Sequence, residues 1–316
     1  MKRFLDTDIR DFLTEPSSIL IRDPKDSRVR DIVIRDPSIC SEHCVYLVGY
    51  PWDWSTAGVP GARFSPSYIR KYLYSLNISY TNKLCICDLG DIKIAPGDQE
   101  ISERRFEHVL SRVVETRKKF VVLGGDHSLT KVSMRVVSER YSKPCLLVFD
   151  AHLDLRELSE GRSSGSYLRE LLESVEKEIR VMIVGYREHS NPEYMYEYAR
   201  RRNMILINIE EIKRSLSEVV NKIIDNSKDC YLYISVDADS IDSSQCPAVN
   251  SISPDGMFVR EIVYILDKLG EYSRKTYFNI VGGDIVEVVA DRDINEICGR
   301  NIAYITYKMI RALALV

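Results

Sequence analysis

A three-layer α/β/α domain built on a mostly parallel, roughly eight-stranded sheet is the fold this sequence predicts. Two observations carry the expectation. From residue 45 onward, short runs rich in Val, Ile and Leu alternate with longer amphipathic segments, the rhythm of strand and crossover helix. The short runs also lack clean polar alternation, which suits strands buried on both faces of a parallel sheet. With 316 residues and a hydrophobic fraction of 45%, the chain is long enough to bury a large core.

Residues 1–40 are the least regular part. They carry Pro16, Pro24 and Pro37 and a short echo, in which the apolar run 19–24 is repeated at 32–37. Six residues repeated once do not define a repeat architecture. This segment is expected to form an N-terminal extension packed on the core, with the two runs as short edge strands, and residues 41–316 to form a single catalytic domain. Strands are predicted at 45–49, 84–89, 120–124, 145–150, 180–185, 204–207, 230–237 and 278–284. Helices are predicted between them at 66–76, 103–118, 129–141, 167–177, 192–202, 210–225, 257–269 and 295–315. No Gly/Ser/Pro-rich linker divides the core.

Charge and composition narrow the class of function. A formal net charge of -3 provides no basic field to recruit nucleic acid or an anionic membrane. No apolar run approaches the roughly 20 residues that span a bilayer, and Asp6 interrupts the N-terminus before a signal-peptide core can form. A cytoplasmic protein with a small-molecule partner is expected. Of the eight cysteines, Cys85, Cys87, Cys145 and Cys230 sit inside apolar runs and no Cys-x-x-Cys pair occurs, so buried free thiols are expected.

Three strand ends carry unusual polar residues. The first is Gly124-Gly125-Asp126-His127-Ser128, where glycines permit a tight strand-to-helix turn and His127 stands at the top of the sheet. Asp126 or Ser128 there also suits a helix cap. The second is Asp150-Ala151-His152-Leu153-Asp154, which follows an apolar run and, with strand periodicity, turns three metal-competent side chains to one side. The third, Ser235 to Asp242, sets Asp237 and Asp239 on one face after another apolar run. Two such carboxylates after a buried strand are costly unless a cation neutralises them. Together the stretches provide His127, His152, Asp150, Asp154, Asp237 and Asp239. Hard oxygen donors with two imidazoles and no thiolate favour Mn²⁺, with Fe, Co or Zn as lesser options. Six ligands suit two ions, about 3.5 to 4 Å apart, that share and acidify one water.

With these residues assembled, the sequence resembles the ureohydrolase (arginase/agmatinase) superfamily. The likeness runs from about residue 45 to the C-terminus and rests on residues 58–70, on Asp88-Leu89-Gly90-Asp91, on the three strand ends above, and on Gly283-Asp284-Ile285-Val286-Glu287. The resemblance implies that one manganese takes His127, Asp150, Asp154 and Asp237 and a second takes Asp150, His152, Asp237 and Asp239. Asp150 and Asp237 would then bridge. It further implies that Asp154 moves the proton to the leaving amine and that Glu287 holds a cationic substrate. Family members usually assemble as trimers or hexamers, so a homo-oligomer is expected.

Where arginases and agmatinases carry a His-Gly pair, this chain has Arg162-Ser163-Ser164-Gly165-Ser166-Tyr167, with no histidine between 152 and 189. That segment, together with Leu155-Arg156 after the second motif, looks like the formimidoylglutamase branch. Residues 185–192 and Asp291-Arg292-Asp293 are similar to further pieces of that branch. The reaction implied is hydrolysis of N-formimidoyl-L-glutamate to L-glutamate and formamide. Arg156, Arg187 and Asn191 are the expected receivers of this anionic substrate. An agmatinase or another guanidino hydrolase, with His189 as a substitute base, is the nearest alternative. A non-catalytic relative and a zinc-dependent amide deacetylase of related fold are more distant ones.

Overall fold

The computed structural model describes residues 25–314 apart from 42, 79–83 and 277. The first echo run, 19–24, lies outside the described residues. Nine strands form one sheet: β1 (Val33–Ile34), β2 (Val45–Gly49), β3 (Ile86–Asp91), β4 (Lys119–Leu123), β5 (Pro144–Phe149), β6 (Arg180–Tyr186), β7 (Ile205–Asn208), β8 (Tyr231–Asp237) and β9 (Asn279–Val286). Their order is β1-β3-β2-β4-β9-β8-β5-β6-β7, and every pairing is parallel. Each of the eight predicted runs forms a strand. The ninth strand, β1, comes from the second echo run and pairs with β3 at the edge of the sheet.

The helices are α1 (Ser65–Leu73), α2 (Gln99–Glu115), α3 (Leu129–Arg140), α4 (Tyr167–Ser174), α5 (Glu193–Arg201), α6 (Ile209–Arg214), α7 (Leu216–Ser227), α8 (Val259–Thr276) and α9 (Ile297–Leu313). They divide into two layers. Val121 and Leu123 of β4 and Leu147 and Phe149 of β5 point into a core shared with α1, α6, α7, α8 and α9. Phe120, Val122, Leu146 and Val148 point the other way, into a core shared with α2, α3, α4 and α5. Both faces of the central strands are therefore dry, which is why the apolar runs show no alternation. A fully buried Leu or Val side chain contributes about 1.5 to 3 kcal/mol, so these two cores supply most of the drive to fold.

Two expectations are corrected. The single helix predicted over 210–225 is two helices, because Ser215 adopts an extended backbone (φ -159°, ψ 95°) between them. Asn208 starts α6 in a reciprocal capping box with Glu211, and the Ser215 hydroxyl accepts the Glu218 N–H to start α7. Nor are the cysteines free. The pairs are Cys40 with Cys87, Cys44 with Cys85, Cys145 with Cys230, and Cys246 with Cys298. The apolar runs that seemed to hide single thiols lie side by side in the sheet, as β5 and β8 do, and adjacency of strands distant in sequence leaves no local spacing signal. No described helix is long and apolar enough to cross a membrane.

Thiol titration of the unfolded, unreduced protein is expected to find essentially none of the eight cysteines reactive. Reduction is expected to lower stability by roughly 2 to 4 kcal/mol per bridge. Eight titratable thiols without reductant would contradict the pairing.

Candidate metal centre

Strands β4, β9, β8 and β5 are neighbours at the middle of the sheet, and being parallel they all end on the same side. His127 follows β4, Glu287 follows β9, Asp237 is the last residue of β8, and Asp150 follows β5. Four motifs far apart in the chain thus meet in one cleft.

Three of the strand ends close in the same way. The carboxylate of Asp126 accepts the N–H of Ser128 (3.1 Å), that of Asp150 accepts the N–H of His152 (2.7 Å), and that of Asp237 accepts the N–H of Asp239 (2.7 Å). Each is an Asx turn, so the paired ligands are set by turn chemistry and not by continued strand periodicity. Alternation nevertheless persists in burial after β5. Ala151, Leu153 and Leu155 are fully buried, while His152 and Asp154 face the cleft. Gly125 has an ordinary backbone angle, and its role is close approach: a Cβ there would strike the Trp52 carbonyl.

The ligating atoms converge as two overlapping clusters. His127 Nδ1 lies 3.0 Å from an oxygen of Asp237 and 3.2 Å from oxygens of Asp150 and Asp154. His152 Nδ1 lies 2.9 Å from Asp239 and 3.5 Å from Asp150. Asp150 belongs to both clusters.

Hydrogen bonding behind the imidazoles tests whether a cation fits. Ser235 donates its hydroxyl to Asp284 (2.6 Å) and sits 2.9 Å from His127 Nε2, so its oxygen is free to accept the Nε2 proton. Thr130 and Tyr233 donate to the other oxygen of Asp284, each at 2.8 Å. A neutral His127 fixed in this tautomer aims the Nδ1 lone pair at three carboxylates, and Nδ1 is a buried atom with no hydrogen-bond partner. Lone pairs facing carboxylates repel unless a cation stands between them. His152 has a similar arrangement, with Ser251 Oγ 3.1 Å from Nε2. The donor set therefore fits two divalent ions with oxygen and imidazole preference.

Without ions, protons do the neutralising. Burial opposes charge on His127, yet Tyr167 and the carboxylates push its pKa well above the ordinary value. Burial likewise opposes charge on His152, but Asp239 and Asp150 push it up to about 12. Burial and the neighbouring Asp150 raise Asp154 to about 6. Asp237 is raised by burial and by Asp239 and Asp150. Asp150 is held below the usual carboxylate range, because His127 and His152 outweigh the cost of its burial.

Glu287 is buried, and burial together with Asp126 raises it to about 8. One oxygen accepts the His127 N–H (2.8 Å). Asp154 and Glu287 both have left-handed backbone angles, φ 49° and φ 62°, which are costly for residues with a Cβ. The two residues expected to do chemistry are thus the strained ones at this site.

The structure separates the three expected substrate receivers. Arg156 is exposed, lines the cleft and has no ion-pair partner among the described residues. Arg187 does not line the cleft: it is 1% exposed, and its guanidinium donates to the carbonyls of Asp239 (2.7 Å) and Ser240 (3.1 Å). Asn191 reaches the cleft wall but spends its amide on backbone, accepting from Leu153 N–H (2.8 Å) and donating to the carbonyls of Ala151 (3.0 Å) and Arg187 (2.9 Å). His189 is exposed beside Ser253 and does not line the cleft, so the substitute base expected for a guanidino hydrolase is not in place. Sequence reasoning missed Tyr167, which stacks on His127 at 4.3 Å, and the Ser235–Asp284 support. All three stand inside quoted motifs, but Tyr167 closes the 162–167 segment without any spacing that ties it to His127.

Comparison with known proteins agrees with this geometry. The arginase family model matches residues 43–311, well over half of the chain. Formimidoylglutamase of Halalkalibacterium halodurans is 29% identical over 279 residues, covering 84% of this chain and 86% of that protein. Agmatinase of Bacillus cereus is 26% identical, covering 81% of this chain and 87% of that protein. The crystal structure of formimidoylglutamase from Bacillus subtilis superposes with a TM-score of 0.85 at 24% identity, covering 97% of this chain and 98% of that one. With its imidazoles and carboxylates gathered at the ends of four central strands, the chain belongs to the arginase family of carbon–nitrogen hydrolases.

Proposed function

We propose that the protein is a binuclear manganese hydrolase of N-formimidoyl-L-glutamate, releasing L-glutamate and formamide. One observation carries the substrate: the cleft, about 290 Å³, has carboxylates and imidazoles at its buried end and, at its exposed end, the guanidinium of Arg156, which has no ion-pair partner among the described residues. That polarity matches a substrate with a planar cationic head and an anionic tail. Agmatine, cationic at both ends, would bring its ammonium against Arg156. Guanidino acids share the required polarity and form the second reading.

His127, Asp150, Asp154 and Asp237 would hold one ion, and Asp150, His152, Asp237 and Asp239 the other. When bound, two such ions lower the pKa of a water and so supply a nucleophile at neutral pH. The protein does the rest. Glu287, raised to about 8 by burial and Asp126, would ionise against the amidinium it receives and turn its carbon toward the ligand cluster. Asp154 faces the cleft beside the ligand cluster, where it would take a proton and deliver it to the departing amine as the carbon–nitrogen bond breaks. Arg156 holds the tail. Its backbone N–H donates to the Gly165 carbonyl (3.1 Å), and its side chain lies where a Cβ on Gly165 would crowd it, so residues 163–166 form its platform. The similarity to formimidoylglutamases in sequence supports this reading. By the same family resemblance the protein would be a homo-oligomer.

Mn²⁺-loaded protein assayed against formimidoylglutamate, agmatine, arginine and guanidinobutyrate is expected to release glutamate and formamide from the first. Urea from agmatine as the main product would overturn the proposal. Arg156→Ala is expected to raise KM roughly 10- to 100-fold with kcat little changed, the loss of one charge-assisted contact. Because the ion-free site raises His152 to about 12 and His127 above the ordinary imidazole value, ion binding must expel protons from these ligands, and affinity should rise with pH. Calorimetry in buffers of different ionisation enthalpy is expected to register net proton release near pH 7.5. Binding heats independent of buffer would contradict it.

A further inference from the structure

The turn after β6 reaches both halves of the candidate metal centre. On one side, the Arg187 N–H donates to the Ala151 carbonyl (3.1 Å), while Asn191 holds that same carbonyl and the Leu153 N–H, gripping the backbone that presents Asp150, His152 and Asp154. On the other, the Arg187 guanidinium holds the carbonyls of Asp239 and Ser240, and its Nε lies 3.4 Å from the Asp255 carbonyl. The Ala151 N–H closes the loop by donating to the Asp239 carboxylate (3.2 Å). Residues 187–191 therefore tie the β5 and β8 motifs together from behind.

The chemistry of Arg187 is unusual for mere packing. A buried guanidinium is costly, and here no carboxylate lies within ion-pair distance among the described residues, so neutral carbonyls alone satisfy it. Its planar fork is what lets one side chain hold carbonyls of successive residues. Two opposing effects on an ion follow. The positive charge behind the carboxylates repels a cation, whereas the fork fixes the turn that delivers Asp239 opposite His152.

We infer that Arg187 is a positioning residue whose fork sets the affinity of the ion shared by His152 and Asp239, with geometry outweighing charge repulsion. The inference rests on the two-ion reading above and goes beyond it by separating the two ions. The other cluster, His127 with Asp154, does not touch Arg187, so loss of the fork should release one ion and spare its neighbour.

The test is metal content after dialysis, with low-temperature EPR of the manganese, for wild type, Arg187→Met and Arg187→Lys. Wild type is expected to keep two ions per chain and show a spin-coupled pair. Both variants are expected to keep one tightly bound ion, lose the coupled signal, and bind the second at least 10-fold more weakly. Arg187→Lys preserves the charge, so its failure to rescue identifies the fork as the cause; it also stands in if Arg187→Met does not fold. A variant that keeps both ions at wild-type affinity, or binds the second more tightly, overturns the role of Arg187. Wild type that never holds two ions instead overturns the two-ion reading itself.

Discussion

Like charge confined in a buried place is the constraint on which the rest of this structure depends. Asp150, Asp237 and Asp239 are nearly inaccessible and Asp154 is only partly open, yet oxygens of all four crowd two imidazoles. Such an arrangement persists only if something positive joins it, a proton in the resting protein or a metal ion in the working one. The raised histidines and the raised Asp237 are two aspects of that demand. A site that must be neutralised is a site prepared to hold cations, and its surroundings are arranged to keep the carboxylates from moving apart.

The sheet supplies that restraint. Four parallel strands with dry faces end side by side, and Asx turns after three of them fix the direction in which those motifs leave their strands. Behind the first imidazole stands a fully buried carboxylate, Asp284, reached through Ser235 and braced by Thr130 and Tyr233. Behind the other half stands Arg187. The strain at Asp154 and Glu287 is tolerated because both are anchored at strand ends that cannot shift without disturbing the core.

Much of this was legible in the chain itself. The parallel sheet follows from apolar runs without alternation, and the gathering of acids and imidazoles from three strand ends that no structural role would furnish with them. What escaped notice shares one physical cause: it depends on which distant segments become neighbours. Arg187 reads as a surface cation suited to an anionic substrate until β6 is seen to place it under the Asp239 turn. Cys145 and Cys230 read as isolated thiols until β5 and β8 lie together. Tyr167 ends the distinctive 162–167 segment, but its stacking on His127 exists only once α4 packs against the turn after β4. Ser215 is the exception and is local: two capping signals in close succession outweighed an unbroken amphipathic pattern.

The central claim is that two cations occupy the overlapping clusters, with Asp150 common to both. Crystals grown with Mn²⁺ and measured on either side of the manganese absorption edge test it most directly. The account predicts two anomalous peaks per chain, about 3.5 to 4 Å apart as in two-metal hydrolases, one beside His127 and one beside His152, with Asp150 touching both. A single peak, or a pair elsewhere on the surface with His127 Nδ1 left uncoordinated, would contradict it.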